Sequence, residues 1–135
     1  MEPPVILLDT HVLVMLALKP EGLSKAARRA IAIAMAGSGV AIASITLWEL
    51  ALLIDTGRVV VRGSTEAFLK LIVQRPGVFV MDLSPEIAAL AFQFPSGFPS
   101  DPADRIIAAT ARAHGLALVT KDQRLQDCAL LRTIW

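Results

Sequence analysis

Cysteine is nearly missing from this chain. Cys128 stands alone, which excludes an internal disulfide and any zinc site built on thiolates, and leaves it as a small buried filler. Long apolar runs are missing too. The longest strictly apolar stretches, residues 12–18 and 30–36, end at Lys19 and Gly37, far short of the ~20 residues a membrane-spanning helix needs. No basic segment precedes the first apolar run, so no secretory leader is expected and the cytoplasm is the default location. Neither a Gly-rich phosphate loop nor a Ser/His/Asp or Cys/His arrangement is apparent. No repeat, linker or low-complexity stretch divides the chain. Net charge is only +1, which by itself points to no polyanionic partner.

What is present is apolar. Hydrophobic residues fill 55% of the 135 positions, above the average for a soluble domain. The length predicts one domain, residues 1–135, able to bury a real core. The apolar excess predicts that another chain covers part of the surface. Short unbroken apolar runs at residues 5–8, 40–43, 78–81 and 116–119 have the character of strands buried on both faces, with a last edge strand near the C-terminus. Between them lie helical segments. Ser24, Ser64 and Ser84 stand as N-caps, Pro85 and Pro102 at first helical positions, and Gly37 and Gly115 as stops. Alternating strands and helices imply an open, mainly parallel α/β sheet.

The acids then fall in a pattern. Asp9 follows the first strand and Asp122 the fourth. Glu49 stands among Leu47, Trp48, Leu50, Ala51 and Leu52 on a helix apolar all round, which is therefore expected to be buried. Asp104 heads a stripe of small residues, Ala108 and Ala111, on the helix opened by Pro102, while Arg105 and Arg112 mark that helix's wet side. Each acid has a plain alternative: Asp9 and Asp101 as helix caps, Glu49 in a salt bridge, Asp104 as a first-turn acid favoured by the helix dipole. Ligands in open α/β sheets bind beyond the carboxyl ends of the strands, and with right-handed crossovers Asp9, Glu49, Asp104 and Asp122 converge there. Close carboxylates cannot all ionise unaided. A hard cation, Mg²⁺ or Mn²⁺, resolves this with oxygen ligands, and such a site activates water against a phosphodiester. With four of the twelve acids drawn into one pocket, the remaining surface carries 13 basic against 8 acidic groups, a modest bias toward a polyanion. Arg58, Arg105, Lys121 and Arg124 are candidates for phosphate contacts. His11 is expected to pack at its helix start, His114 to sit at a helix C-terminus, and Trp48 to belong to core or interface.

Four stretches carry a resemblance: "LLDTHVLVML" within residues 5–16, "ITLWEL" at 45–50, "SDPADRIIAATA" at 100–111 and "LVTKD" at 118–122. In this order they resemble the motifs of the PIN-domain family, in particular the VapC-type toxins of bacterial toxin–antitoxin pairs. The resemblance implies a three-layer α/β/α sandwich with a small parallel sheet. It also implies Mg²⁺- or Mn²⁺-dependent endoribonuclease activity on structured RNA such as tRNA or rRNA. By motif, Asp9, Glu49 and Asp104 are implied as metal ligands, Asp122 as a fourth acid acting through water, and Thr120 as the hydroxyl that positions water or metal. A homodimer and a small VapB-type antitoxin are implied as partners. The antitoxin's apolar segment would lie in a groove near the site, with the helices at residues 12–18 and 44–54 taking part. Two other classes stay open at this level: a receiver-like phosphoacceptor module, suggested by Thr120-Lys121, and a non-catalytic protein-binding domain.

Overall fold

A computed structural model describes residues 2–135. Strand β1 (Ile6–Leu8) leads into helix α1 (Thr10–Leu18), followed by a 3₁₀ turn (Pro20–Gly22), α2 (Lys25–Met35), β2 (Val40–Ala43), α3 (Ile45–Asp55) and α4 (Thr65–Gln74). Then come β3 (Val78–Met81), α5 (Pro85–Leu90), α6 (Pro102–His114), β4 (Ala117–Val119), α7 (Gln123–Gln126) and β5 (Thr133–Ile134). The expected caps are in place. The hydroxyls of Ser24, Ser64 and Ser84 accept the backbone N–H groups of Ala27, Ala67 and Ile87 at 3.1, 3.0 and 3.2 Å. Gly115, in the left-handed region at φ 65°, closes α6.

The five strands form one sheet in the order β3-β2-β1-β4-β5, and every pairing is parallel. Side chains alternate across it as period two demands. Ile6, Leu8, Val40, Ile42 and Val119 face one way and pack with Val12 and Leu13 of α1, Ala27, Ile31 and Ala34 of α2, and Leu50 of α3. Leu7, Ala41, Ala43 and Leu118 face the other way, against Ile107 and Ala111 of α6 and Leu125 of α7. This is the expected α/β/α sandwich. The small-residue stripe of α6 does what its composition predicts: Ala108 and Ala111 are fully buried, so the helix lies close on the sheet. Helix α5 packs on α6 away from the sheet, through Ile87, Ala91 and Ala109. Where β2 begins, Gly39 has φ +86°, and a Cβ there would stand 2.5 Å from the Gly77 carbonyl oxygen. Only glycine fits that crossing.

Two expectations about helix faces need correction. Arg105 and Arg112 do not mark a bare wet side. Arg105 donates to the Ala91 carbonyl at 3.1 Å and lies over the Phe98 ring, while Arg112 donates to the Gln93 carbonyl at 2.7 Å and lies over Phe94. Their aliphatic stems and flat guanidinium groups cover the chain after α5, as long basic side chains can. Helix α3 is not buried all round either. Trp48 is 60% exposed and Leu52 44%, so its apolar composition fills the core on one side and leaves an apolar surface on the other.

Candidate active site

The sheet order reverses direction between β1 and β4: from β1 the chain builds outward through β2 and β3, from β4 through β5. A crevice opens beyond the carboxyl ends at such a switch point. Asp9 follows β1 there, and Thr120 and Asp122 follow β4. The two strand ends are stitched by the Asp9 N–H, which donates to the Val119 carbonyl at 3.0 Å.

Above the crevice lies a cavity of ≈ 460 Å³ whose walls include Asp9, His11, Glu49, Asp101, Asp104, Asp122, Arg58, Lys121 and Arg124. All four acids picked from the sequence therefore reach one place. Asp101, set apart above as a cap, joins them. Its Oδ1 accepts the Ala103 N–H at 2.9 Å, so it caps α6 and faces the cavity at once. Asp9 likewise combines its two readings. Its Oδ1 accepts the Thr10 N–H at 2.7 Å, and it lies at the start of α1 while lining the cavity. His11 does not pack inward; it is exposed on the cavity wall. Of the basic candidates, Arg58, Lys121 and Arg124 line the cavity. Arg105 does not, because its guanidinium is engaged with α5.

Hydroxyl groups hold the acids in place. Thr120, fully buried, donates to Asp9 Oδ2 at 2.7 Å and accepts the Asp122 N–H at 3.1 Å. One side chain thus ties the acid after β1 to the acid after β4. Its proton is spent on Asp9, which makes Thr120 a positioning residue for the carboxylates. Glu49 is held by a pair the sequence reading passed over. The Thr10 hydroxyl donates to Glu49 Oε1 at 2.5 Å, and the Thr46 and Thr10 oxygens lie 2.9 Å apart. A hydroxyl has one proton, and that of Thr10 goes to Glu49, so Thr46 donates to Thr10. The signal was available: Thr46 and Glu49 are three residues apart on one helix and share a face. Thr10 follows Asp9 directly.

Burial and crowding show in the acidities. Burial pushes Asp9 above the ordinary carboxylate range against the opposing pull of the Thr120 hydrogen bond. Burial likewise raises Glu49, against its bond from Thr10. Asp104 rises from 3.8 to about 7, first through burial and then through the charges of Asp101, Asp9, Asp122 and Glu49. Asp122 moves the other way, because Arg124 hydrogen-bonds its carboxylate. Crowded carboxylates that resist ionising together are relieved by a hard divalent cation, which binds the ionised form of each. That chemistry fits Mg²⁺ or Mn²⁺. Even so, among the described residues no three His, Cys, Asp or Glu side chains stand together at the spacing of a formed metal site. The acids share a cavity without being gathered onto one point.

The fold is a doubly wound parallel sheet with carboxylates of separate chain segments at its switch point, and the chain belongs to the PIN-domain family, whose model matches residues 6–130. It is 39% identical over 132 residues to Ribonuclease VapC22 of Mycobacterium tuberculosis, covering 96% of this chain and 98% of that one. Solved structures share the fold. The VapBC2 complex of Rickettsia felis bound to a promoter DNA fragment superposes with a TM-score of 0.71 at 18% identity, over 95% of this chain and 96% of that one. The DNA-bound VapBC of Salmonella typhimurium does so with a TM-score of 0.67 at 22% identity, over 98% and 97%. The receiver-like alternative loses its ground, since receiver sheets run in the order 2-1-3-4-5 and this one runs 3-2-1-4-5. No described helix is long and apolar enough to cross a membrane.

Proposed function

We propose that the protein is a divalent-metal-dependent endoribonuclease and the toxin of a toxin–antitoxin pair. The observation that carries this is the meeting of Asp9, Glu49, Asp104 and Asp122 in one cavity at the switch point of the sheet. The curated relative named a ribonuclease, similar over nearly the whole chain, supports it. Asp9, Glu49 and Asp104 would hold Mg²⁺ or Mn²⁺, with Asp122 as the fourth acid. Bound there, such an ion supplies Lewis acidity toward a phosphodiester and a nucleophile usable at neutral pH. The chain's own groups do the rest. Thr120 and the Thr46–Thr10 pair fix the carboxylates of Asp9 and Glu49. Arg58 and Lys121 on the cavity wall are placed to meet RNA phosphates, which positions the strand without reading its sequence. Structured RNA is the proposed substrate class.

The partner reading rests on a second feature. Beside the acid cavity runs a groove of ≈ 240 Å³ between α1 and the end of α3, lined by His11, Val14, Met15, Leu53, Arg58 and Val59. Trp48 and Leu52 extend the apolar surface of α3. An apolar segment of a VapB-type antitoxin is proposed to lie there, and the remaining apolar surface supports a homodimer.

The test is direct. Purified protein freed of any partner should cut RNA in Mn²⁺ or Mg²⁺, and Asp9→Asn or Asp104→Asn should abolish cutting while circular dichroism stays unchanged. Full activity in EDTA, or in either variant, refutes the proposal.

A further inference from the structure

We propose that Arg124 is a resident cation of the acid cavity, one that a divalent ion must displace before the carboxylates can share it. This rests on the metal-dependent reading above and concerns what holds the site when no ion is there. Arg124 Nη2 lies 2.7 Å from Asp122 Oδ2, and its Nε lies 3.1 Å from Asp122 Oδ1. Both oxygens of that acid therefore face one guanidinium in a forked arrangement, the strongest form of such a pair. Nη2 also reaches Asp104 Oδ2 at 3.5 Å. The same positive group thus bridges Asp122, the fourth acid of the site, and Asp104, one of the three that would hold an ion.

No other lysine or arginine pairs with the cavity acids, and His11, on the same wall, acts on Asp9 and Glu49 rather than on Asp122. Among the described residues, the only other ion pair is Lys70–Glu66, on α4. Arg58 and Lys121 line the cavity without pairing to its acids. Arg124 can also leave without disturbing the core. Its side chain is 63% exposed, and it projects from the four-residue helix α7, whose core anchor is Leu125 rather than Arg124. Swinging the guanidinium into solvent breaks no packing. It frees Asp122 Oδ2 and Asp104 Oδ2 to turn toward an ion, while Asp122 Oδ1 still accepts the Arg124 backbone N–H at 2.9 Å as the cap of α7. The cavity is therefore a cation-exchange site on its Asp122–Asp104 side: Arg124 holds Asp122 and reaches Asp104, and metal occupancy requires its release.

The experiment is a calorimetric titration of Mn²⁺ into the purified full chain at pH 7.5 and low ionic strength. It compares wild type, Arg124→Gln, Arg124→Lys and Asp9→Asn. Removing the competing cation should tighten Mn²⁺ binding by about threefold to tenfold in Arg124→Gln, the range expected of an exposed but forked ion pair. Arg124→Lys, which keeps the charge without the fork, should fall between. In a parallel Mg²⁺ titration, the Arg124 Nε–Hε resonance should move to its solvent-exposed position. Equal or weaker Mn²⁺ binding in Arg124→Gln overturns the proposal and leaves the metal site standing. Mn²⁺ binding in neither protein, or binding untouched by Asp9→Asn, overturns both this proposal and the reading on which it rests.

Discussion

Replacing Asp104 with asparagine should make the metal-free protein more stable above neutral pH, although it removes a residue from the site. In the folded chain Asp104 ionises only near pH 7, whereas its ordinary value is 3.8. Below about pH 4 the carboxyl is protonated in folded and unfolded chains alike, and it costs the fold nothing through ionisation. As pH rises, the unfolded chain releases the proton first. The folded state loses ground until its own carboxyl ionises near 7, after which the penalty is constant. At face value a rise from 3.8 to about 7 corresponds to roughly 4 kcal/mol. The side chain itself is 16% exposed, but the cavity opens to water and its charges are screened. A discounted penalty of about 1–2 kcal/mol is the appropriate expectation. For a chain of this size that is a gain of roughly 3–7 °C in melting temperature. Asparagine keeps the shape, and the contact it loses, Arg124 at 3.5 Å, is long and exposed and worth little. The assay is thermal unfolding followed by circular dichroism, in EDTA, from pH 4.5 to 8.5. Wild type and Asp104→Asn should converge at the acid end and separate as pH rises to 7. In excess Mn²⁺ the order should reverse at pH 8, because only the wild type gains the ion's binding energy. A variant equally or less stable at pH 8 in EDTA would refute the account of crowded carboxylates.

Thr120→Val should remove the tie between Asp9 and Asp122 and leave two buried polar groups short of a partner. About 1–3 kcal/mol of stability should go with it in chemical denaturation, along with at least tenfold of RNA cleavage. Thr120→Ser should restore most of both. Thr46→Val leaves Thr10 bonded to Glu49 but unsupported, and gel-based cleavage assays should show a loss of about 10–100-fold, as for other residues that orient ligands. Trp48→Glu on the exposed face of α3, outside the lining of the acid cavity, should leave RNA cleavage intact. It should abolish co-purification with the product of an adjacent open reading frame, and retention of that partner would argue against the groove. Leu50→Ala, which empties a fully buried position facing β2, should cost about 2–5 kcal/mol.

Local chemistry made much of this protein legible before any coordinates. Strand runs such as residues 40–43 are apolar on both faces because helices cover both sides of a parallel sheet. The serine caps and the Pro102 opening of α6 are short-range preferences, decided within four residues. Carboxylates just past strands fall where ligands bind in open α/β sheets, so Asp9 and Asp122 stood out on the sequence alone, although a helix cap explained Asp9 equally well. What the sequence left open depended on groups far apart along the chain. Whether Thr120 would face a solvent molecule or Asp9, 111 residues away, depends on the pairing of β1 with β4. The Thr46–Thr10–Glu49 relay joins α3 to α1 and has no local signature except a shared helix face. Helix α3 looked buried all round because composition cannot tell a covered face from a bare one. Arg105 and Arg112 looked wet because a charge on a helix says nothing of the aromatic rings that pack beneath it. Composition and periodicity record what each residue needs; which neighbour supplies it is set by the packing of distant segments, and only the assembled sheet and its two helical layers decide that.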